Sequence, residues 1–253
     1  VAGGSGSGTA TVTPEFFLQS DWARNEATLR LRGSYEKFLD NTTADNPSAA
    51  VDATGRIDLA DDWAISLAGG YAYSQQALSD PDFPAGADKP PGVNEFRSSA
   101  ALSGGAGPAK VTLAATADRT VYDDAIVSGS PVDQSYRDNT EYGARLRLGY
   151  EVSPMLTPFV EGEVTHRAFD QTLDHDGLAR SSSGVAGRVG VALDRGPILT
   201  GEIAVGALSE NFDDPTLATI SALSVDGSLA WAPTELVTVS LNGATSINPS
   251  TDA

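Results

Sequence analysis

The chain has 253 residues, 40% of them hydrophobic and 20% charged, with 26 glycines and a mean hydropathy of −0.16. No run reaches the roughly 18 apolar residues a spanning helix needs, which excludes a helical membrane protein but not a barrel, whose strands show lipid only alternate residues. A formal charge of −18, a pI near 4.2 and only 16 scattered Lys and Arg argue against a nucleic-acid partner, and the lack of cysteine removes disulfides and thiolate metal sites.

In chain order, Val1–Ala10 (VAGGSGSGTA) is Gly/Ser-rich and reads as a flexible tail, with a partial lumen plug as the alternative. No leader is visible before Val1, so either a leader has been removed or the chain is a fragment. Residues 11–248 then alternate short and long connections, and 249–253 read as a loop or a truncated terminus. The short ones are Asp21–Glu26, Asp61–Trp63, Gly105–Ala109, Ser153–Met155, Asp194–Pro197 and Ala232–Glu235. Their centres lie roughly 40 residues apart, the length of two strands plus a loop. Between them fall the long polar stretches Asp40–Ser48, Gln75–Gly92, Thr120–Asp138, Asp170–Arg180 and Glu210–Thr216. Tight turns on one side and long loops on the other are the asymmetry of outer-membrane barrels.

The intervening segments alternate with period two, the signature of strands with two unlike faces. In Ala27–Tyr35, Leu29, Leu31 and Tyr35 oppose Arg30, Arg32 and Ser34; in Val51–Leu59, Val51, Ala53, Ile57 and Leu59 oppose Asp52, Thr54, Arg56 and Asp58. The pattern is fullest in Glu141–Val152, where Tyr142, Ala144, Leu146, Leu148, Tyr150 and Val152 oppose Glu141, Gly143, Arg145, Arg147, Gly149 and Glu151. It returns in Val185–Leu193 and Val237–Asn242. Twelve strands result, predicting an all-β, antiparallel up-and-down transmembrane barrel, either complete at twelve or part of a larger one. A tight turn around Pro154 sets Arg145 opposite Glu163 and Arg147 opposite Glu161, each pair stabilising a polar wall by roughly 0.2–1 kcal/mol. Trp22, Trp63 and Trp231 sit beside short turns, and Tyr71, Tyr73, Phe96, Tyr122 and Phe169 near long loops, as two membrane-interface belts would have them.

Three stretches carry a family resemblance: GRIDLADDWAISLAGGY (Gly55–Tyr71), LRLGYEVSPMLTPFVEGEV (Leu146–Val164) and LAWAPTELVTVSL (Leu229–Leu241). The chain, from about Pro14 to Ile247, resembles the putative β-barrel porin type 2 family of Gram-negative, chiefly alphaproteobacterial, outer-membrane proteins. The resemblance implies a barrel in the outer membrane, and for some members an association with exopolysaccharide systems. Outer-membrane barrels commonly finish on a terminal aromatic, whereas Asn248–Ala253 (NPSTDA) reads like the start of an external loop. Closure at twelve strands and continuation into further strands both stay open.

The residues expected to face a lumen are Arg30, Arg32, Glu36, Arg56, Arg97, Asp118, Arg145, Arg147, Glu161, Glu163, Arg188 and Glu202. There they either set which solutes pass or fill the interior. The loop acids Asp40, Asp45, Asp80, Asp82, Asp88, Asp123, Asp124, Asp133, Asp170, Asp213 and Asp214 read as solubilising, with cation bridges to lipopolysaccharide phosphates as the other use. His175, between Asp174 and Asp176, lacks the spaced carboxylates of a calcium loop, and His166 ends a strand beside Arg167. No Ser, His and acid constellation emerges. No enzyme, cofactor or metal site is expected.

The leading functional reading is an outer-membrane pore or conduit for small solutes or exported polysaccharide. Its expected partners are outer-membrane lipid and lipopolysaccharide, with partner proteins or further copies of the chain. A non-conducting barrel serving as membrane anchor or assembly subunit is the alternative. A secreted soluble propeller is a third, since propeller blades also repeat at about 40–45 residues.

Overall fold

The computed structural model describes residues 8–38, 45–59, 62–77, 82–234 and 236–246. The strands are β1 (Thr9–Val12), β2 (Glu15–Gln19), β3 (Glu26–Phe38), β4 (Asn46–Asp58), β5 (Ala64–Gln75), β6 (Ala87–Lys89), β7 (Gly92–Ala106) and β8 (Ala109–Tyr122). They continue with β9 (Ala125–Val127), β10 (Ser130–Val132), β11 (Asn139–Tyr150), β12 (Leu156–Phe169), β13 (Ser182–Asp194), β14 (Leu199–Phe212), β15 (Ile220–Thr234) and β16 (Val237–Gly243). Two single 3₁₀ turns, Ser135–Arg137 and Gly196–Ile198, complete the described structure.

Thirteen strands form one antiparallel sheet in the order β1-β3-β4-β5-β7-β8-β11-β12-β13-β14-β15-β16, with β2 also on β3. β1 lies against Tyr35–Phe38 and β2 against Thr28–Arg32, so the two are halves of one row. The break falls at Pro14, which has no N–H to give a ladder; its carbonyl accepts the Gly33 N–H at 3.0 Å instead. Counted by rows, the sheet has the twelve strands that the alternation predicts. Each row pairs only with its neighbours in sequence, as an up-and-down meander does. That single continuous sheet overturns the propeller alternative, whose blades would be separate small sheets. Among the described residues no register joins β16 to β1 or β2, and the sheet is open there.

The principal strands run from 12 residues in β5 and β11 to 15 in β7 and β15. A tilted strand crosses a bilayer's hydrocarbon core in about 9–11 residues, so these are long enough. Long connections gather at one end of the sheet and short ones at the other. The two-residue turn between β7 and β8 is Gly107–Pro108, with Gly107 at φ +57, a left-handed value that favours glycine. Thr9 and Ala10, expected in the tail, belong to β1: the Gly/Ser composition ends at Gly8, and the Thr-Ala-Thr-Val that follows pairs with the end of β3. Residues 1–7 of that tail, together with Asp40, Asp61, Asp80, Glu235 and residues 247–253, lie outside the described residues.

Burial is inverted relative to a water-soluble sheet. Leu146, Val160, Val164, Val185, Val189, Ile203, Val205 and Leu223, all on one face, are exposed, Leu223 by 81%. The buried non-glycine residues of the main-sheet strands lie on the other face: Ala64, Val93, Ala114, Phe159, Glu161, Ser182, Ala204 and Ser224. Water drives apolar surface inward, so a sheet that shows leucine and valine outside and packs glutamate within is not built to face water on both sides.

Candidate functional site

The register sorts strand charges almost completely. On β2–β15 of the main sheet, Glu15, Glu26, Glu36, Asp52, Asp58, Glu95, Asp118, Glu141, Glu161, Glu163, Asp194, Glu202, Glu210 and Asp226 all fall on one face. Arg30, Arg32, Arg56, Arg97, Lys110, Arg145, Arg147, Arg167 and Arg188 share it. The apolar face carries only Lys37 and Arg119 among strand Lys, Arg, Asp and Glu. Both stand within one turn of the long-loop end, and Arg119 grips Asp170 through two bonds of 2.6 Å.

The densest part of the charged face spans β11 to β15. β11 and β12 pair with Arg145 opposite Glu163 and Arg147 opposite Glu161, the predicted register. The side chains then choose partners by reach. Glu161, its side chain only 3% exposed, accepts Arg147 Nε at 2.7 Å and Arg188 Nη1 at 2.9 Å, with Arg145 at 3.9 Å. Glu163 goes to Arg188 at 2.6 Å instead of to Arg145. The second edge of Arg147 binds Glu202 at 2.7 and 3.1 Å, and its guanidinium lies 4.1 Å from the Phe159 ring centre. Arg188 also reaches Asp226 at 2.8 Å and Ser224 Oγ at 3.2 Å. Towards the long loops, Arg167 bonds Glu141 at 2.5 Å and lies 3.9 Å from Glu210, whose carboxylate accepts Ser182 Oγ at 2.6 Å.

Arg147 and Glu202 stand on β11 and β14, three strand spacings or about 14 Å apart on a flat sheet. Their direct contact shows that the sheet curls toward its charged face. A carboxylate as enclosed as Glu161 is tolerable only because two guanidiniums hydrogen-bond it. Elsewhere the pairs are looser: Arg30–Glu15 at 3.4 Å, Arg32–Asp52 at 2.5 Å, Arg56–Asp58 at 2.9 Å and Arg97 with Glu95. These are roughly half exposed, and exposed pairs contribute about 0–1 kcal/mol each.

Aromatic residues divide by face as well as by end. Tyr71 and Phe96 pair on the apolar face with centroids 4.9 Å apart, and Tyr73 shares that face at the long-loop end. Trp22 lies exposed in the short β2–β3 connection, Trp63 covers Gly104, and Trp231 stands opposite Leu199 and Val239. Tyr122 and Phe169 differ from the interface expectation, because the register puts both on the charged face. Nearness to a loop fixes a residue's height but not its face. Tyr122 carries the buried Arg137 guanidinium 4.0 Å above its ring.

The long loops join one another. β6, β9 and β10 make a small sheet from two of them, where Asp88 accepts the Ser128 and Gly129 N–H groups. Gln171 Nε2 donates to Ser135 Oγ at 2.8 Å, and Tyr136 meets the His175 ring edge-on. The Ala179 N–H reaches Asp214 at 3.1 Å. Asp174 organises its own loop by accepting the N–H groups of Asp176 and Leu178 and Arg180 Nε. Burial pushes the Asp174 carboxyl up, but the Leu178 and Arg180 bonds outweigh it and hold the group below its ordinary value of 3.8. A depressed carboxylate stabilises fully above that ordinary value and loses its contribution as pH falls through the depressed one. Limited digestion with an acid-active protease is therefore expected to open residues 170–181 only below about pH 4. The Asp174→Asn variant should be cut there at every pH tested.

His166 lies on the apolar face with Nδ1 3.1 Å from Ser183 Oγ, and His175 Nε2 is 3.5 Å from Asp176. No group of three metal-ligating side chains occurs among the described residues. Sequence reasoning missed Arg167, Asp226, Phe159 and Arg137. The period-two rule could have found Asp226, since Ser224, Asp226 and Ser228 alternate with Val225, Gly227 and Leu229. Nothing local marks Arg137.

A family model described as "Putative beta-barrel porin 2" matches residues 1–253, the whole chain. The chain belongs to that family. No curated protein matches it. As a member of the β-barrel porin 2 family, the chain has the antiparallel strands, uniform apolar face and inward-curling charged face that a barrel wall requires.

Proposed function

We propose that the chain forms the wall of a pore in the outer membrane of a Gram-negative bacterium, passing small hydrophilic solutes or an exported polysaccharide. The inverted burial carries this reading: a charged face that curls inward and an apolar face left exposed suit an aqueous lumen and a lipid surround. In this reading the charged residues from Arg30 to Glu202 line the lumen. The tryptophans of the short-turn end and Tyr71, Tyr73 and Phe96 mark the two interfaces, with lipopolysaccharide outside.

Single-channel recording in planar bilayers tests it. Discrete conductance that changes when Arg145 and Arg147 are neutralised is expected. A folded, inserted protein that passes neither ions nor sugars would overturn the pore. The joined long loops favour one second reading, a membrane anchor that presents a fixed outer surface to partner proteins. Stoichiometric co-purification with other subunits, without conductance, would support it.

A further inference from the structure

We infer that the lumen of this pore prefers cations, because the charged face holds more carboxylates than guanidinium and ammonium groups and its cations are tied to carboxylate partners. The inference rests on the pore reading and adds a solute class to it.

In the β11–β15 cluster, Arg147 and Arg188 are each shared between at least two carboxylates, and Arg145 leans on Glu161. Arg30, Arg32, Arg56, Arg97 and Lys110 each have an acid within 3.4 Å. A guanidinium clasped by a carboxylate presents a dipole, whose field falls off faster with distance than that of a free charge. The surplus acids are not cancelled in this way: among the described residues Glu36, Asp118 and Asp194 make no ion pair. The apolar-face cations do not redress the balance, since both stand at the loop rim and Arg119 is neutralised by Asp170. What a solute meets along the wall is a net negative field in a low-dielectric tube, which concentrates counter-ions.

Reversal potentials of the full chain in neutral phosphatidylcholine bilayers, under KCl gradients, test this. The expected potassium-to-chloride permeability ratio is about 3–10 near 0.1 M salt, at or below the lower bound of the roughly 10–1000-fold enrichment a one-sign cleft produces, because most of the wall's charges are paired. It should fall toward 1 near 1 M, where the screening length shrinks from about 10 Å to about 3 Å. Asp118→Asn, which breaks no ion pair, should lower the low-salt ratio. A conducting pore with chloride preference, or with none at low salt, overturns the inference and leaves the pore standing. Absence of conductance at every salt overturns both.

Discussion

Replacing Glu161 with alanine is expected to destabilise the folded sheet by about 3–5 kcal/mol, the cost of stranding a partner charge in an enclosed pair. Glu161 sits beneath Arg147 and Arg188 with its side chain 3% exposed, so its loss leaves two guanidiniums without the acceptor between them. Glu202, Glu163 and Asp226 would still hold their outer edges, which sets the lower end of the range. Glu161→Gln keeps acceptor oxygen and should lose less. Urea unfolding in lipid vesicles measures both, and pairing E161A with Arg147→Met should restore part of the loss. A cost under about 1 kcal/mol for E161A would mean that water solvates the site as it does an exposed pair.

The second large effect separates the two faces. Val189, 57% exposed on the apolar face near the middle of β13, should cost about 2–4 kcal/mol on replacement by arginine if that face meets lipid. Ser99→Arg, on the exposed charged face of β7, should change stability by no more than about 0.5 kcal/mol. Comparable small effects at both positions would place water on both sides of the sheet and remove the membrane reading.

Much of the fold was legible because a strand's period of two is rigid. Once Leu146, Leu148 and Tyr150 are taken as one face, Arg145 and Arg147 must take the other, and a tight turn at Pro154 then dictates the register with Glu163 and Glu161. Side-chain pairing is softer. Arg145 and Glu163 stand opposite each other, yet Glu163 bonds Arg188, its diagonal neighbour on β13, which a long side chain reaches as readily as the facing one. Arg147 meets Glu202 three rows away only because the sheet curls. Curvature is a property of the whole sheet and has no local signature. The same holds for Arg137, buried only when two loops meet, and for Tyr122 and Phe169, whose faces depend on where the strand's phase stops. The break at Pro14 was readable in principle, but a short interrupted row resembles a turn when its neighbour is unknown.

A meander in which every row touches only its sequence neighbours can change circumference by gaining or losing one hairpin, with no register disturbed elsewhere. The Arg147–Glu202 bond works against that freedom, since it ties β11 to β14 across two intervening rows. Insertion of a hairpin between them would separate the pair, and loss of one would take Glu161 and Arg188 out of the cluster. In this sector the width of the wall is therefore held by chemistry as well as by connectivity, and size variation should be confined to the β3–β8 side.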